Sequence, residues 1–288
     1  MRHYILPLTI LITFVFTTSC NTSERGFENK ISTSEEGLSA KKVYVTSDDK
    51  QLSENVFFYG QKIHTNFENL DGFSVEDGTY FPQMSIEVTT TDGKRVMFND
   101  NLLDSNKGYN VLQKVLYGQL ILATPMQSGE KYIAKHYIND TKGGGEFSSE
   151  MYFTIKPNPR IMVKESGLQA KEVYIFNQNT KLVIADGKVE PKENLQFQFE
   201  GLQGFELENG LISLGLSINV FDAKGKKIVT NSDAFENTMI TTAQLAQGIG
   251  GTLVFSEGLI NNPVTWEVEI WDKNGNSRIK AGTELEVD

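Results

Sequence analysis

The sequence predicts an all-β protein: two tandem, homologous β-sandwich (Ig-like) domains, with short helical turns in one loop of each. Three observations carry this. Short stretches alternate apolar and polar positions, turns rich in Gly and Asn separate them, and one sequence frame occurs twice.

The repeated frame runs Phe67-Glu68, Gly72-Phe73, Gly78, Ser85-Ile86, Val88 and Gly93-Lys94. It returns as Phe199-Glu200, Gly204-Phe205, Gly210, Ser217-Ile218, Val220 and Gly225-Lys226, at a constant spacing of 132 residues. With Leu70/Leu202 and Glu76/Glu208, 12 of 30 positions are identical, where unrelated sequences would share about two. Gly37-Leu38, Ala40-Lys41 and Val43-Tyr44 also return, as Gly167-Leu168, Ala170-Lys171 and Val173-Tyr174, but at a spacing of 130. Two residues therefore enter the second copy before position 199, and the loop around Asp186-Gly187-Lys188 is their expected place. The expected modules are residues 37–158 and 159–288. They meet at Lys156-Pro157-Asn158-Pro159, which two prolines should keep extended.

Residues 1–19 stand apart from this pattern. Arg2 and His3 precede an apolar run from Tyr4 to Phe16, and Thr17, Thr18 and Ser19 lead into Cys20. The segment resembles a bacterial lipoprotein signal peptide, with Thr17 where that family commonly has Leu. The resemblance implies that residues 1–19 are removed and that Cys20 becomes the lipid-modified first residue. The run is short for a bilayer span and is broken by Pro7, so a permanent transmembrane helix fits it less well. Asn21 stands where an Asp would signal inner-membrane retention in some lineages, so the expected address is the cell envelope, at the outer membrane. Cys20 is the only cysteine, which excludes an intramolecular disulfide. Residues 20–36 are polar and give a lipidated tether expected to stay disordered.

Within the first module, strands are expected at Lys42 to Val45, Val56 to Tyr59, Gln83 to Thr89, Leu120 to Ala123, Ile133 to Ile138 and Met151 to Ile155, with counterparts in the second. In the second module Leu214, Leu216, Ile218 and Val220 share one face, while Ser217, Asn219 and Phe221 share the other. Gly93-Lys94, Gly225-Lys226, Asn274-Gly275 and Gly143-Gly144-Gly145 mark hairpins. Asn101 to Asp104 and Asp233 to Glu236 have the spacing of capping boxes, and further short helices are expected at Val111 to Leu116 and Thr241 to Ala246.

The formal net charge is −10, and loss of Arg2 with the leader would make it one more negative. Such a surface repels phosphate backbones, so nucleic acid is not an expected partner. His64 and His136 are the imidazoles outside the leader, both in the first module without a His at the aligned positions of the second. Strand neighbours favour structural roles for them over metal or acid–base chemistry. No nucleophile elbow, phosphate loop or zinc-binding helix motif is present. No catalytic residue, metal or cofactor is therefore expected. Glu267 and Glu269 share a strand face at a spacing of about 7 Å, which would suit an inverting glycosidase, but the wet face of a half-buried strand accounts for the pair better. Asp272, Asn274 and Asn276 begin like a calcium loop, yet Gly275 is misplaced and Thr283 stands where the loop needs Glu.

Trp271 is the one ligand-binding candidate. Alternation places it on the solvent side with Glu267 and Glu269, opposite Trp266, where an indole could stack on a sugar ring or anchor a protein. The expected function is a lipid-anchored, non-enzymatic binding or assembly protein of the cell envelope, held to the membrane by its lipid and to a protein or glycan partner by loops or an open sheet edge. Surface glycan binding and a carboxylate-based hydrolase of envelope glycans are the alternatives.

Overall fold

The computed structural model describes residues 30–103, 108–258 and 260–288. The leader, Cys20, residues 21–29 and Asp104 lie outside the described residues. Ten strands form the first module: β1 (Ile31–Glu36), β2 (Ser39–Ser47), β3 (Lys50–Gln51), β4 (Val56–Phe58), β5 (Lys62–Asp71), β6 (Pro82–Thr90), β7 (Arg95–Asn99), β8 (Val115–Ile121), β9 (Lys131–Asp140) and β10 (Glu146–Lys156). One sheet has the order β1-β10-β9-β6-β7, with β4 parallel to β10, and the other has β3-β2-β5-β8. Leaving aside β1, β3 and β4, seven strands divide three against four and repeatedly change sheet in chain order, the Greek-key connection of an Ig-like sandwich.

The second module repeats the plan with β11 (Met162–Ser166), β12 (Glu172–Asn177), β13 (Leu182–Ile184), β14 (Lys188–Val189), β15 (Asn194–Glu200), β16 (Leu207–Glu208), β17 (Leu211–Phe221), β18 (Lys227–Asn231), β19 (Met239–Thr241), the single helical turn α1 (Thr242–Leu245), β20 (Ile249–Val254), β21 (Val264–Asp272) and β22 (Arg278–Val287). Its sheets are β11-β22-β21-β17, extended on β17 by β16, β18 and β19 and on β22 by β14, and β13-β12-β15-β20.

The duplication extends to register. Val56 pairs in parallel with Thr154 as Lys188 pairs with Glu286, and a bulge separates Val88 from Thr89 as another separates Val220 from Phe221. The repeated glycines have a steric cause. Gly72 and Gly204 have φ of 98° and 102°, and a Cβ there would lie 2.1 Å from the Gly37 carbonyl oxygen and 2.3 Å from that of Gly167. Only glycine lets these chains cross so closely. Two buried aspartates clamp the adjoining loops. Asp140 Oδ2 accepts from the Ser74 amide and Asp272 Oδ2 from that of Glu206, both at 2.7 Å; their Oδ1 atoms accept from the Lys142 and Asn274 amides, both at 3.0 Å. Asp272-Lys273-Asn274-Gly275 is thus a hairpin turn.

Five expectations are corrected. Residues 31–36 are not tether: β1 pairs with β10 from Ile31↔Met151 to Glu36↔Glu146. This strand buries little beyond Ile31, so its backbone ladder, invisible to a composition argument, holds it. The two-residue insertion lies in the β12–β13 hairpin: Ser47 pairs with Lys50 across Asp48-Asp49, whereas Asn177 pairs with Leu182 across residues 178–181. The joint is a turn, with the Ile161 amide donating to the Asn158 carbonyl at 3.0 Å; Asn at the first position and Pro159 at the second are its preferred residues. Val111 to Leu116 contains no helix, and β8 begins at Val115.

The helix within Thr241 to Ala246 does form. Thr241 Oγ1 accepts from the Gln244 amide at 3.2 Å while Gln244 Oε1 accepts from the Thr241 amide at 2.9 Å, a complete capping box. Asp233 instead satisfies the amides of Phe235 and Leu216 in a non-helical turn.

Two cores fill the sandwiches, and Ile161 packs against both. Tyr174, Phe176 and Val183 of the second module also pack against the core of the first. The Tyr59 and Tyr174 rings lie 5.3 Å apart, and Gly60 leaves room for Val183, whose Cγ1 would be 2.5 Å from a Cβ there. Ser128 donates from its amide and its hydroxyl to the buried Glu172 carboxylate, and Asn158 Nδ2 donates to the Ala185 carbonyl at 2.9 Å. The joint is a packed interface.

Candidate functional site

The structure disperses the residues singled out from sequence. His64, on β5, meets Gln119 Oε1 at 3.2 Å and the edge of the Tyr117 ring. His136, on β9, is buried beside Phe67 at 5.4 Å between ring centroids, and its Nε2 has no partner among the described residues. Burial pushes its pKa down to about 4, so it is neutral in ordinary conditions. The two imidazoles sit on different sheets, His136 turned into the core and His64 out of it. Among the described residues, no group of three or more His, Cys, Asp or Glu is arranged to hold a metal ion.

Glu267 and Glu269 face outward and are occupied by cations of the next strand. Lys280 Nζ is 2.9 Å from Glu267, and Arg278 Nη1 is 3.3 Å from Glu269. Neither belongs to the lining of the joint cleft. Trp271 lies on this outer face as alternation requires, half-buried across Gly215: a Cβ at that glycine would sit 2.1 Å from the indole ring. The indole covers the β17 backbone, which accounts for both residues. Trp266 points inward, fully buried, with its ring 5.3 Å from that of Phe197.

A cleft of about 530 Å³ lies at the joint. Phe58, Leu182 and Ile184 give it an apolar floor; Asp48, Asp186, Glu190, Glu193 and Asp288 bring carboxylates, and Lys62, Arg160 and Lys188 bring cations. Several of the acids are held by local backbone: Asp186 accepts from the Lys188 amide at 3.0 Å and Glu193 from the Glu190 amide at 2.9 Å. No ion pair engages the three cations among the described residues. The cleft can therefore bind a ligand carrying polar or charged groups of either sign against an apolar wall. Sequence reasoning missed these residues because they come from both modules. The Pro-x-Pro joint, which folds the β12–β13 hairpin back onto β4, was the one signal available.

Elsewhere at the joint, burial pushes the Glu172 carboxyl above the usual carboxylate range, with the hydrogen bonds from Ser128 opposing it. Burial likewise raises the Tyr174 hydroxyl, which donates to Glu200 Oε1 at 2.5 Å.

No protein-family model matches the chain, and no curated protein matches it. Among solved structures it is similar to the C-terminal domain of wzt, at 13% identity over 44% of this chain and 78% of that one, with a TM-score of 0.31. The fibronectin(III)-like modules of Clostridium thermocellum CbhA are 13% identical over 85% of this chain and 94% of theirs, with a TM-score of 0.21. Bacteroides uniformis beta-glucuronidase is 10% identical over 83% of this chain and 27% of its own, with a TM-score of 0.22. Likeness at these levels carries no functional argument. The strand order places the chain among all-β proteins built from tandem Ig-like sandwiches.

Proposed function

We propose that the protein is a lipid-anchored component of the cell envelope that binds or assembles a partner without transforming it, using two sandwiches fixed to each other as a single scaffold. The packed joint carries this reading: Ile161 packs against both cores, and the Tyr59–Tyr174 and Ser128–Glu172 contacts hold the modules in one relative pose. A fixed pose presents sheet faces, edges and the joint cleft in a constant arrangement, which suits holding a partner. The anchor rests on the resemblance of residues 1–20 to a lipoprotein leader. Mass spectrometry of the mature chain from a bacterial host tests it: the expected product begins at an acylated Cys20, and an unmodified amino terminus overturns the anchor. Affinity capture from detergent-solubilised envelope tests the partner.

The acid-lined cleft favours a second reading, a hydrolase of envelope glycans. Under it, Glu190→Gln or Glu193→Gln would abolish sugar release from purified envelope polysaccharide. Absence of release by the parent protein removes that reading.

A further inference from the structure

The first module carries a second candidate surface. On the outer face of its larger sheet, Tyr137 and Tyr152 are 43% and 56% exposed. Tyr137 of β9 stands in a row with serines: Ser148 is its partner on β10, Ser34 continues the row on β1, and Ser85 flanks it on β6. The small side chains leave the ring standing above its surroundings. Two hollows of about 250 and 260 Å³ adjoin it and share Ser34, Tyr137 and Ser148, so they form one trough beside the ring. One end is walled by Lys135 and Glu150, whose Nζ and Oε2 lie 2.7 Å apart, and the other by Asn139 and Glu146. Tyr152 stands beyond Glu150, four residues along β10 from Ser148, about 13 Å away by the rise of a strand.

We infer that this trough is a binding site for an uncharged oligosaccharide, with Tyr137 as the stacking platform and Tyr152 as a second one; the inference rests on the binding-module reading and gives it a site. Sugar rings present C–H faces and hydroxyl edges. The tyrosine faces match the former, and the serine hydroxyls, the Lys135–Glu150 pair and Asn139 match the latter. A protein partner would bring apolar groups to the centre of its interface, where this trough has a serine floor. A polyanion is disfavoured too, because Lys135 is neutralised by Glu150 while Glu36 and Glu146 add negative charge. The spacing of the two rings suits an oligosaccharide over a single sugar. In the second module the same positions hold Glu269 and Glu284 for the tyrosines and Lys280 for Ser148, so the trough belongs to the first module alone.

Calorimetric titration of the full chain in detergent with linear neutral hexaoses of glucose, mannose, xylose and N-acetylglucosamine, and with hexagalacturonate as the anionic control, tests the site. Saturable binding of at least one neutral hexaose and none of hexagalacturonate is expected. Tyr137→Ala should weaken binding about tenfold and Tyr152→Ala less, whereas Trp271→Ala should leave it unchanged. Ser148→Lys, which fills the trough and leaves both tyrosines in the chain, should weaken it as Tyr137→Ala does. Two results overturn the proposal: no neutral hexaose binding at millimolar concentration, or unchanged affinity in a Tyr137→Ala/Tyr152→Ala variant that melts like the parent. Envelope partner capture that survives in the double variant, with no hexaose binding, removes the site and leaves the binding-module reading standing. Capture lost in the double variant without hexaose binding assigns the face to a protein and likewise overturns the glycan site.

Discussion

In the first module Ala134 and His136 occupy positions that Trp266 and Val268 take in the second, while Phe147 and Phe153 of β10 face Ile279 and Leu285 of β22 at the matching places. One copy fills its interior from β10 and the other from β21. Both reach close packing, because a sandwich constrains total volume and patterning more tightly than the identity of any one side chain. The corner at the start of β9 differs in the same way: the Tyr132 hydroxyl accepts from the Gln127 amide at 2.8 Å in the arrangement known as a tyrosine corner, and its counterpart is Val264. The parts that did not diverge are those with no alternative, namely the crossing glycines and the aspartates that clamp loop amides. Backbone demands outlast packing solutions.

Exchanging these residues tests that comparison. The largest effect is expected for Trp266→Ala, which installs the residue of the first module without its compensating phenylalanines. The cavity beside Phe197 should cost about 4 kcal/mol of unfolding free energy, read by urea denaturation. A loss below about 1 kcal/mol would mean that the two interiors are interchangeable position by position. His136→Val is next. Unfolded chains take up a proton near pH 6.5 that the folded chain refuses until about pH 4. The parent should therefore lose about 3 kcal/mol as pH falls through that window and level off below it, and the variant should lose none of this. An unchanged acid limb in the variant would show that another group sets it.

Glu172 acts in the opposite sense. Its raised pKa means that the folded chain keeps this proton to higher pH than the unfolded one, so its contribution declines as pH rises from the ordinary carboxylate value towards the raised one, then stays level. Glu172→Gln should flatten that decline and leave neutral-pH stability within about 1 kcal/mol of the parent, since the amide can still accept from Ser128. Lys280→Ala breaks a half-exposed ion pair with Glu267 and should cost less than about 0.5 kcal/mol in a thermal melt.

Much of this scaffold was legible in the sequence, and the limits are instructive. The inward set Leu214, Leu216, Ile218 and Val220 is buried as its alternation requires, and the hairpins at Gly93 and Gly225 close with amide bonds of 3.0 and 2.8 Å to Thr90 and Asp222. The insertion was misplaced because a spacing shift bounds an interval, and only the partner strand locates the extra residues inside it. β1 was missed because its ladder with β10 is a property of two distant segments. The joint cleft and the tyrosine trough were invisible for the same reason: Tyr137 and Ser34 become neighbours only once β10 lies between their strands. Alternation puts Trp271 on the outer face, whereas its partner Gly215 has no side chain to signal the contact.

On the proposed lipid anchor, the place of β1 would also set how far the body could stray from a bilayer. With a lipid on Cys20, about ten residues would separate the anchor from Ile31, where the first ladder begins, and so many residues span at most roughly 35 Å. Any ligand would then be met within a thin layer next to the headgroups, and lengthening the leash with a glycine-serine insert after Asn21 would be the way to let the protein forage further out.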